Sequence, residues 1–139
     1  MKLPKWLSVA MVMAIHDEAL YYFGGGAGVR DAALLQSAMD RPRNRLSYEP
    51  ASNIFELAAS LCVGIAKNQA FVDGNKRTAL LATRAFLFLN GQILEPSEAE
   101  EVTTMVALAT GEMSEAQFAL WLRANCRLPR RRKRSSSSK

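Results

Sequence analysis

The feature that most constrains the fold is a series of apolar segments with helical spacing, each bounded by residues that start or stop helices. Apolar side chains that recur every three to four residues form one face of an α-helix. The pattern predicts six helices, one short strand, "QILE", and a loop, "NRLSYEPAS", before the third helix. The predicted helices cover residues 4–23, 32–39, 54–67, 75–89, 98–109 and 115–125.

Individual residues mark the helix boundaries. Pro4 suits the first position of a helix, and Asp31 is a candidate N-cap for the second helix, which is predicted to end before Pro42. Capping boxes are predicted at Ser97 with Glu100 and at Ser114 with Gln117. Six helices with short connections indicate an all-α protein, a compact bundle formed by one domain over residues 1–126.

The charge is concentrated in the tail, "RLPRRRKRSSSSK", over residues 127–139. This segment holds seven of the 18 lysine and arginine residues and no acidic residue, which leaves 11 basic against 13 acidic residues in the body. The body is therefore mildly acidic, and direct nucleic-acid binding by it is not expected. A basic, serine-rich tail cannot bury apolar surface and is predicted to be disordered. Either it is simply solvated, or it contacts nucleic acid or an acidic partner.

The N-terminal sequence and the number of cysteines indicate the cellular compartment. An apolar run from Trp6 to Ile15 follows two lysines, but it lacks a clear cleavage site and is far shorter than a membrane span. Two cysteines, Cys62 and Cys126, are too few for a disulfide framework. We expect a protein of a reducing cytosol with no membrane association.

The stretch "NQAFVDGNKRTALLATRAF" places two cations, Lys76 and Arg77, in the first turn of the fourth helix. A helix N-terminus is already positive, so each cation costs roughly a few tenths of a kcal/mol there. A bound anion would offset that cost, and a glycine such as Gly74 before the helix lets a phosphate approach the backbone N–H groups. Asn75 adds an amide donor that can stabilise charge on a phosphoryl oxygen.

Asp73 completes this candidate site, because its carboxylate is the hard oxygen ligand that suits Mg²⁺ carried in with a nucleotide. Phe71 is expected to fix the loop to the core. The alternative is a solvated Asp-Gly-Asn turn before an exposed first turn, since this tripeptide is also common turn chemistry. Composition alone does not decide between the two interpretations.

The segment "FVDGNKRTA" resembles the signature loop of the Fic superfamily, H-x-F-x-[D/E]-G-N-[G/K]-R. The flanking segments "AIHDEALYYFGGGAGVRDAALLQSAMDRP", "IFELAASL", "GIAKN" and "LATGEMSEAQFALWL" resemble its death-on-curing (Doc) branch, the toxins of Phd–Doc toxin–antitoxin modules. The resemblance spans about residues 4–125 and implies the all-α Fic/Doc fold. It also implies Asp73 as the Mg²⁺ ligand, Arg77 as the phosphate-binding arginine, and Gly74, Asn75 and Lys76 as the anion-binding segment.

One position departs from the family pattern: Gln69 stands where the family has its catalytic histidine. A general base needs a pKa near working pH, and an amide has none. The resemblance therefore implies a chain that binds nucleotide but transfers little or nothing. Either the substitution was introduced to make a toxin harmless, or the protein is a natural pseudoenzyme. The only histidine, His16, lies mid-helix beside Asp17 and is interpreted as structural rather than as a substitute base.

The resemblance also bears on the group transferred. Most of the superfamily transfers AMP to hydroxyl groups, with a second glycine and a second arginine where this chain has Lys76 and Leu80. Both differences match the Doc pattern, which implies a kinase that transfers phosphate to a threonine of elongation factor Tu and halts translation. AMP transfer stays an alternative, because Doc usually has alanine at the position of Gly74.

Regulation is expected to come from a separate chain. Self-restraining Fic proteins carry an S/T-x-x-x-E-[G/N] helix, and two segments here, Ser52 to Glu56 and Ser97 to Glu101, match only its first part. The resemblance implies a Phd-like antitoxin whose flexible segment folds on the toxin.

Overall fold

The computed structural model describes residues 3–130 and contains six α-helices and one two-stranded sheet. This confirms the predicted all-α bundle. The elements are α1 (Val9–Phe23), α2 (Ala32–Tyr48), α3 (Ile54–Asn68), α4 (Asn75–Leu89), β1 (Ile93–Leu94), α5 (Glu98–Thr110), α6 (Glu115–Ala124) and β2 (Cys126–Arg127).

Helix α3 is the centre of the bundle. Every residue from 57 to 65 is buried, and α2, α4 and α6 pack against it. A helix that is apolar on all sides is stable only when other elements surround it. Its start is fixed by a capping box between Asn53 and Glu56. A six-residue loop, residues 69–74, connects α3 to α4, so the two helices pack as an antiparallel pair.

Helix α1 begins later than predicted. Pro4 does not start it: the N-cap is Ser8, whose hydroxyl accepts a hydrogen bond from the Met11 N–H. Residues 3–7 form no helix, and the backbone of Lys5 is hydrogen-bonded on both sides by the Asn90 side chain, at 2.8 and 2.9 Å. Helix α1 therefore begins after Ser8 and not at Pro4. The residues before Ser8 need no helical hydrogen bonds, because Asn90 satisfies the backbone groups of Lys5.

Helix α2 is longer than predicted, since it continues through Pro42 to Tyr48. The expected stop before Pro42 and the loop predicted over residues 44–52 are therefore wrong for residues 44–48. A proline inside a helix costs about 3 kcal/mol. Burial of Leu35, Met39 and Pro42 itself against the core offsets this cost. Arg45, in the last turn, adds ion pairs with Glu56 and Glu115.

The small sheet joins two distant parts of the chain. Ile93 pairs with Arg127 and Leu94 with Cys126, in antiparallel register. The predicted domain boundary at residue 126 divides β2, so paired structure extends one residue past it. The capping boxes of α5 and α6 are as predicted. Disorder is predicted for residues 127–139, but Arg127 is paired in β2, and residues 131–139 lie outside the described residues. Within residues 3–130, no helix combines the length and apolar character needed to cross a bilayer.

Candidate functional site

The candidate site is built on the loop of residues 69–74, at the C-terminus of α3 and the N-terminus of α4. The loop begins and ends with left-handed backbone. Gln69 has φ 48° and ψ 49°, and it is the one non-glycine residue with positive φ in residues 3–130. Gly74 has φ 75° and directly precedes α4. Left-handed backbone at a non-glycine residue costs about 1–2 kcal/mol, so other contacts must hold Gln69 in place.

The connector between α1 and α2, residues 24–31, supplies those contacts. The backbone N–H groups of Arg30 and Asp31 donate to the Ala70 carbonyl at 2.7 and 3.0 Å. The guanidinium of Arg30 donates to the Gln69 carbonyl at 2.9 and 2.7 Å and to the Asn68 carbonyl at 3.3 Å. Arg30 could not be found from the sequence, because nothing in its local pattern links it to a loop almost 40 residues away.

His16 contacts the loop of residues 69–74 from the core side. Its ring is 1% exposed and stacks on the Phe71 ring with centroids 3.9 Å apart. Its Nε2 atom lies 2.8 Å from the Asp73 backbone oxygen, an acceptor, so Nε2 carries the proton and donates. Its ring is therefore engaged with the loop from the core side. Phe71, itself 1% exposed, is the buried loop residue that the sequence predicts.

Asn75 braces the same loop. Its side-chain Oδ1 accepts from the Phe71 N–H and its Nδ2 donates to the Phe71 carbonyl, both at 3.0 Å. This two-sided contact fixes the turn between Phe71 and the start of α4. The role of the Asn75 side chain as an anion donor stays a prediction, whereas its backbone N–H belongs to the helix N-terminus described next.

The N-terminus of α4 presents unpaired backbone donors. No side chain caps it, and its first backbone bond within the described structure runs from Thr78 N–H to the Gly74 carbonyl at 2.9 Å. The N–H groups of Asn75, Lys76 and Arg77 therefore have no acceptor among residues 3–130. Three aligned donors at the positive end of a 15-residue helix form an anion-binding arrangement.

Asp73 lies beside this helix end with an exposed carboxylate. Its Oδ1 accepts from the Gly74 N–H at 2.9 Å, and its Oδ2 accepts from the Gly26 N–H at 3.3 Å. Both oxygens keep lone pairs for a metal ion. Residues 3–130 contain no group of three or more His, Cys, Asp or Glu residues that could hold a metal. Asp73 can thus serve as one ligand of an ion that brings its other ligands with it.

Lys76 and Gln69 line the same cavity. This cavity, of about 460 Å³, lies between α3 and α5, and its walls are mostly apolar. A larger cavity, of about 720 Å³, lies at the opposite ends of α3 and α4, away from the loop. The smaller cavity is the better candidate for the active site. Gln69, at the position of the expected general base, and Lys76, in the first turn of α4, both line it.

Arg77 lies on another side of α4. Its guanidinium carbon is 3.9 Å from the centroid of the Phe23 ring, at the end of α1. The two cations of the loop therefore diverge, Lys76 toward the α3–α5 cavity and Arg77 toward α1. Leu80, one turn further along α4, is partly buried against the core and adds no third cation. The predicted residues thus lie around one helix end, but Gln69 and Lys76 line the α3–α5 cavity whereas Arg77 contacts α1, and their roles stay predictions.

The chain was compared with known proteins. A model of the Fic/DOC family matches residues 6–87, a range that includes the loop and almost all of α1 to α4. The chain is 35% identical over 118 residues to Protein kinase doc of Escherichia phage P1, covering 84% of this chain and 92% of that protein. It is 43% identical over 70 residues to Toxin Doc of Mycolicibacterium smegmatis, covering 50% of this chain and 54% of that protein.

Proposed function

The chain belongs to the Fic/DOC family, and from this premise we propose that it is a bacterial, cytoplasmic Doc-like toxin. Its proposed activity is ATP-dependent transfer of phosphate to a threonine hydroxyl of elongation factor Tu, which blocks translation. In the chain as given, Gln69 leaves this activity absent or very weak. The relative called Protein kinase doc supports the reaction class, since it matches this chain over most of both sequences.

The observation that carries the proposal is the set of groups around the N-terminus of α4. Three backbone N–H groups and one carboxylate lie there, and Lys76 and Arg77 flank them on two different sides of the helix. A triphosphate is the anion that this set fits, because it has enough negative charge to engage the helix end, Lys76 and Arg77 together. These groups would hold and orient the phosphates, which is the main contribution that a protein makes to phosphoryl transfer.

Mg²⁺ fits the site as an ion bound jointly by protein and nucleotide. Mg²⁺ commonly uses one or two carboxylates together with phosphate oxygens and water. Asp73 offers one such carboxylate, which the Gly26 and Gly74 N–H groups hold in place. When bound, the ion would neutralise part of the phosphate charge. The protein's own part is to fix the Asp73 oxygens in position.

Two residues favour phosphate over AMP as the group transferred. Lys76 occupies a position that is glycine in AMP-transferring relatives, and its side chain faces the cavity shared with Gln69. Leu80 replaces the second arginine and packs against the core. A site without that cation has less to hold the far phosphates, which favours attack at the γ-phosphate. Transfer of AMP to a protein hydroxyl is the alternative.

Gln69 is the reason to propose inactivity. A glutamine amide can orient a hydroxyl but cannot accept its proton. His16 does not replace it, because its ring is buried and its Nε2–H donates to the Asp73 carbonyl. The second candidate function is a protein that binds antitoxin and nucleotide but catalyses no reaction, and Gln69 favours this function as well.

Restoring the histidine tests the proposal. The parent chain, Gln69→His and Gln69→Ala would each be incubated with elongation factor Tu and ATP labelled at the α- or γ-position. We expect γ-label transfer by Gln69→His only, at least about a hundredfold above the other two, as a general base commonly contributes. Transfer of α-label would instead indicate AMP transfer. No transfer from either position, with Mg-ATP still bound, would indicate a binding protein.

A separate antitoxin is the proposed regulator. The two glutamates that resemble part of an inhibitory helix are both engaged elsewhere: Glu56 caps α3 and pairs with Arg45, and Glu101 is hydrogen-bonded to Arg84. A Phd-like protein is therefore the proposed partner. Expression of Gln69→His should arrest growth without that partner, and co-expression of the antitoxin should restore it.

A further inference from the structure

Phe23 and Arg77 form a contact between two elements that are far apart in sequence. Phe23 is the last residue of α1, where Gly24, with φ 78°, caps the helix through its N–H to the Leu20 carbonyl. Phe23 is 63% exposed, so its ring is accessible at the surface beside α4. The Arg77 guanidinium lies over that face at 3.9 Å, within the range of a cation–π contact.

The bonding of Arg77 differs from that of most other arginines of the bundle. Arg41, Arg45, Arg84 and Arg127 pair with glutamates, and Arg30 donates to backbone carbonyls. Among residues 3–130, Arg77 has neither an acidic side chain within 4.0 Å nor a hydrogen-bond acceptor. An aromatic face carries no lone pair, so it can hold a guanidinium without occupying the N–H donors.

We infer that Phe23 is a positioning residue for anion binding: its ring face holds the Arg77 guanidinium beside the α4 N-terminus while its donors stay available to a phosphate. An acidic partner in the same place would neutralise the arginine and compete with the ligand. An arginine already held in position also loses less side-chain freedom when the ligand binds. This inference rests on the proposed function, since it requires that Arg77 bind a nucleotide phosphate.

The test uses the chain as it exists, with Gln69, and measures Mg-ATP affinity by isothermal titration calorimetry. We expect Phe23→Leu to weaken affinity about threefold to fivefold, the effect of losing an exposed cation–π contact. Phe23→Tyr keeps the ring face and should retain the parent affinity. Tyr22→Leu is the matched control, because Tyr22 is 70% exposed on the same helix turn and no arginine of the described residues lies over its ring. Thermal unfolding of each variant shows that it is folded.

A double-mutant cycle with Arg77→Ala separates this inference from the proposed function. If Phe23 acts through Arg77, Phe23→Leu has no further effect once Arg77 is alanine. A loss of affinity in Arg77→Ala, with Phe23→Leu unchanged from the parent, would overturn the inference alone. Equal losses from Phe23→Leu with and without Arg77 would also overturn it. Unchanged affinity in Arg77→Ala would contradict the proposed phosphate site itself, and the inference with it.

Discussion

The Nε2–H of His16 donates to the backbone carbonyl of Asp73 across 57 positions of sequence, at 2.8 Å. This bond and the stacking of the same ring on Phe71 tie the middle of α1 to the candidate site. The only histidine of the chain thus holds a metal-ligand candidate in place through its backbone. It is a positioning residue for the loop.

Replacing His16 by alanine should destabilise the protein by about 2–4 kcal/mol, since it removes a buried ring and a buried hydrogen bond. Asp17→Ala is the control, because Asp17 is 77% exposed and lies 3.8 Å from His16 Nδ1, so its loss should change stability by less than about 0.5 kcal/mol. Urea unfolding measures both. Equal midpoints for the two variants would show that His16 does not support the loop.

Gly25→Ala should impair the site more than Gly24→Ala, although both glycines have positive φ, 121° and 78°. A Cβ at Gly25 would lie 2.9 Å from Asp73 Oδ2, whereas one at Gly24 meets nothing within 4 Å. We expect Gly24→Ala to cost about 1 kcal/mol of stability and to leave Mg-ATP affinity unchanged. Gly25→Ala should also displace the Asp73 carboxylate and weaken Mg-ATP binding about tenfold, measured by calorimetry. Equal affinities would mean that Asp73 does not need its present position.

Thr78 and Thr83 give opposite predictions for the same substitution. Both are fully buried in α4, but the Thr78 hydroxyl has no hydrogen-bond partner among the described residues, while Thr83 donates to the Ala79 carbonyl at 2.7 Å. Thr78→Val removes an unsatisfied polar group and should stabilise the fold by about 1 kcal/mol. Thr83→Val loses a bond and should destabilise it by up to about 1 kcal/mol. Thermal melting of both variants checks the sign, and a lower melting temperature for Thr78→Val would contradict the expectation.

The two thiols should be nearly inert in the folded protein at pH 8. Burial raises the pKa of Cys62 to about 12 and, against the lowering effect of Arg84, that of Cys126 to about 11. The reactive thiolate is then only about 10⁻⁴ and 10⁻³ of each thiol, against about a tenth in the unfolded chain. Alkylation by iodoacetamide, followed by mass spectrometry, should therefore label Cys126 slowly and Cys62 hardly at all.

The same shifts set the sign of the alkaline pH dependence. Below about pH 7 both thiols are protonated in the folded and unfolded states, so they add no pH dependence. Above it the unfolded thiols ionise first, and stability falls as pH rises toward the folded-state pKa values. Cys126→Ser is the control, since it should abolish the slow labelling at pH 8. Fast labelling of Cys62 in the folded protein would contradict its burial.

Most of the fold could be predicted because its helices begin with local signals. The N-caps at Asp31, Ser97 and Ser114 each act within one helical turn, so a single segment contains all the information. The prediction was wrong where distant contacts overrode a local rule. Pro42 stays inside α2 because the core buries it, and Pro4 does not start α1 because Asn90 holds the preceding residues.

The same contrast between local signals and distant contacts applies to the candidate site. Asp73, Gly74 and the two cations lie within five consecutive residues, so their spacing was enough to place them at one helix start but not to predict that Lys76 and Arg77 face different sides of it. Arg30, Phe23 and the contacts of His16 come from other segments, and only the tertiary structure brings them to the loop. The bracing role of Asn75 was missed for a different reason: an amide can serve a ligand or its own backbone, and the sequence does not distinguish the two.

The contacts that hold the loop also bear on when the site forms during folding. Individual helices can form in about a microsecond, but joining residues 39 to 57 positions apart carries a larger entropic cost and waits for the helices to dock. Assembly of the candidate site should therefore be among the last events of the folding reaction. A newly synthesised chain would acquire the proposed nucleotide binding only once its tertiary structure is nearly complete.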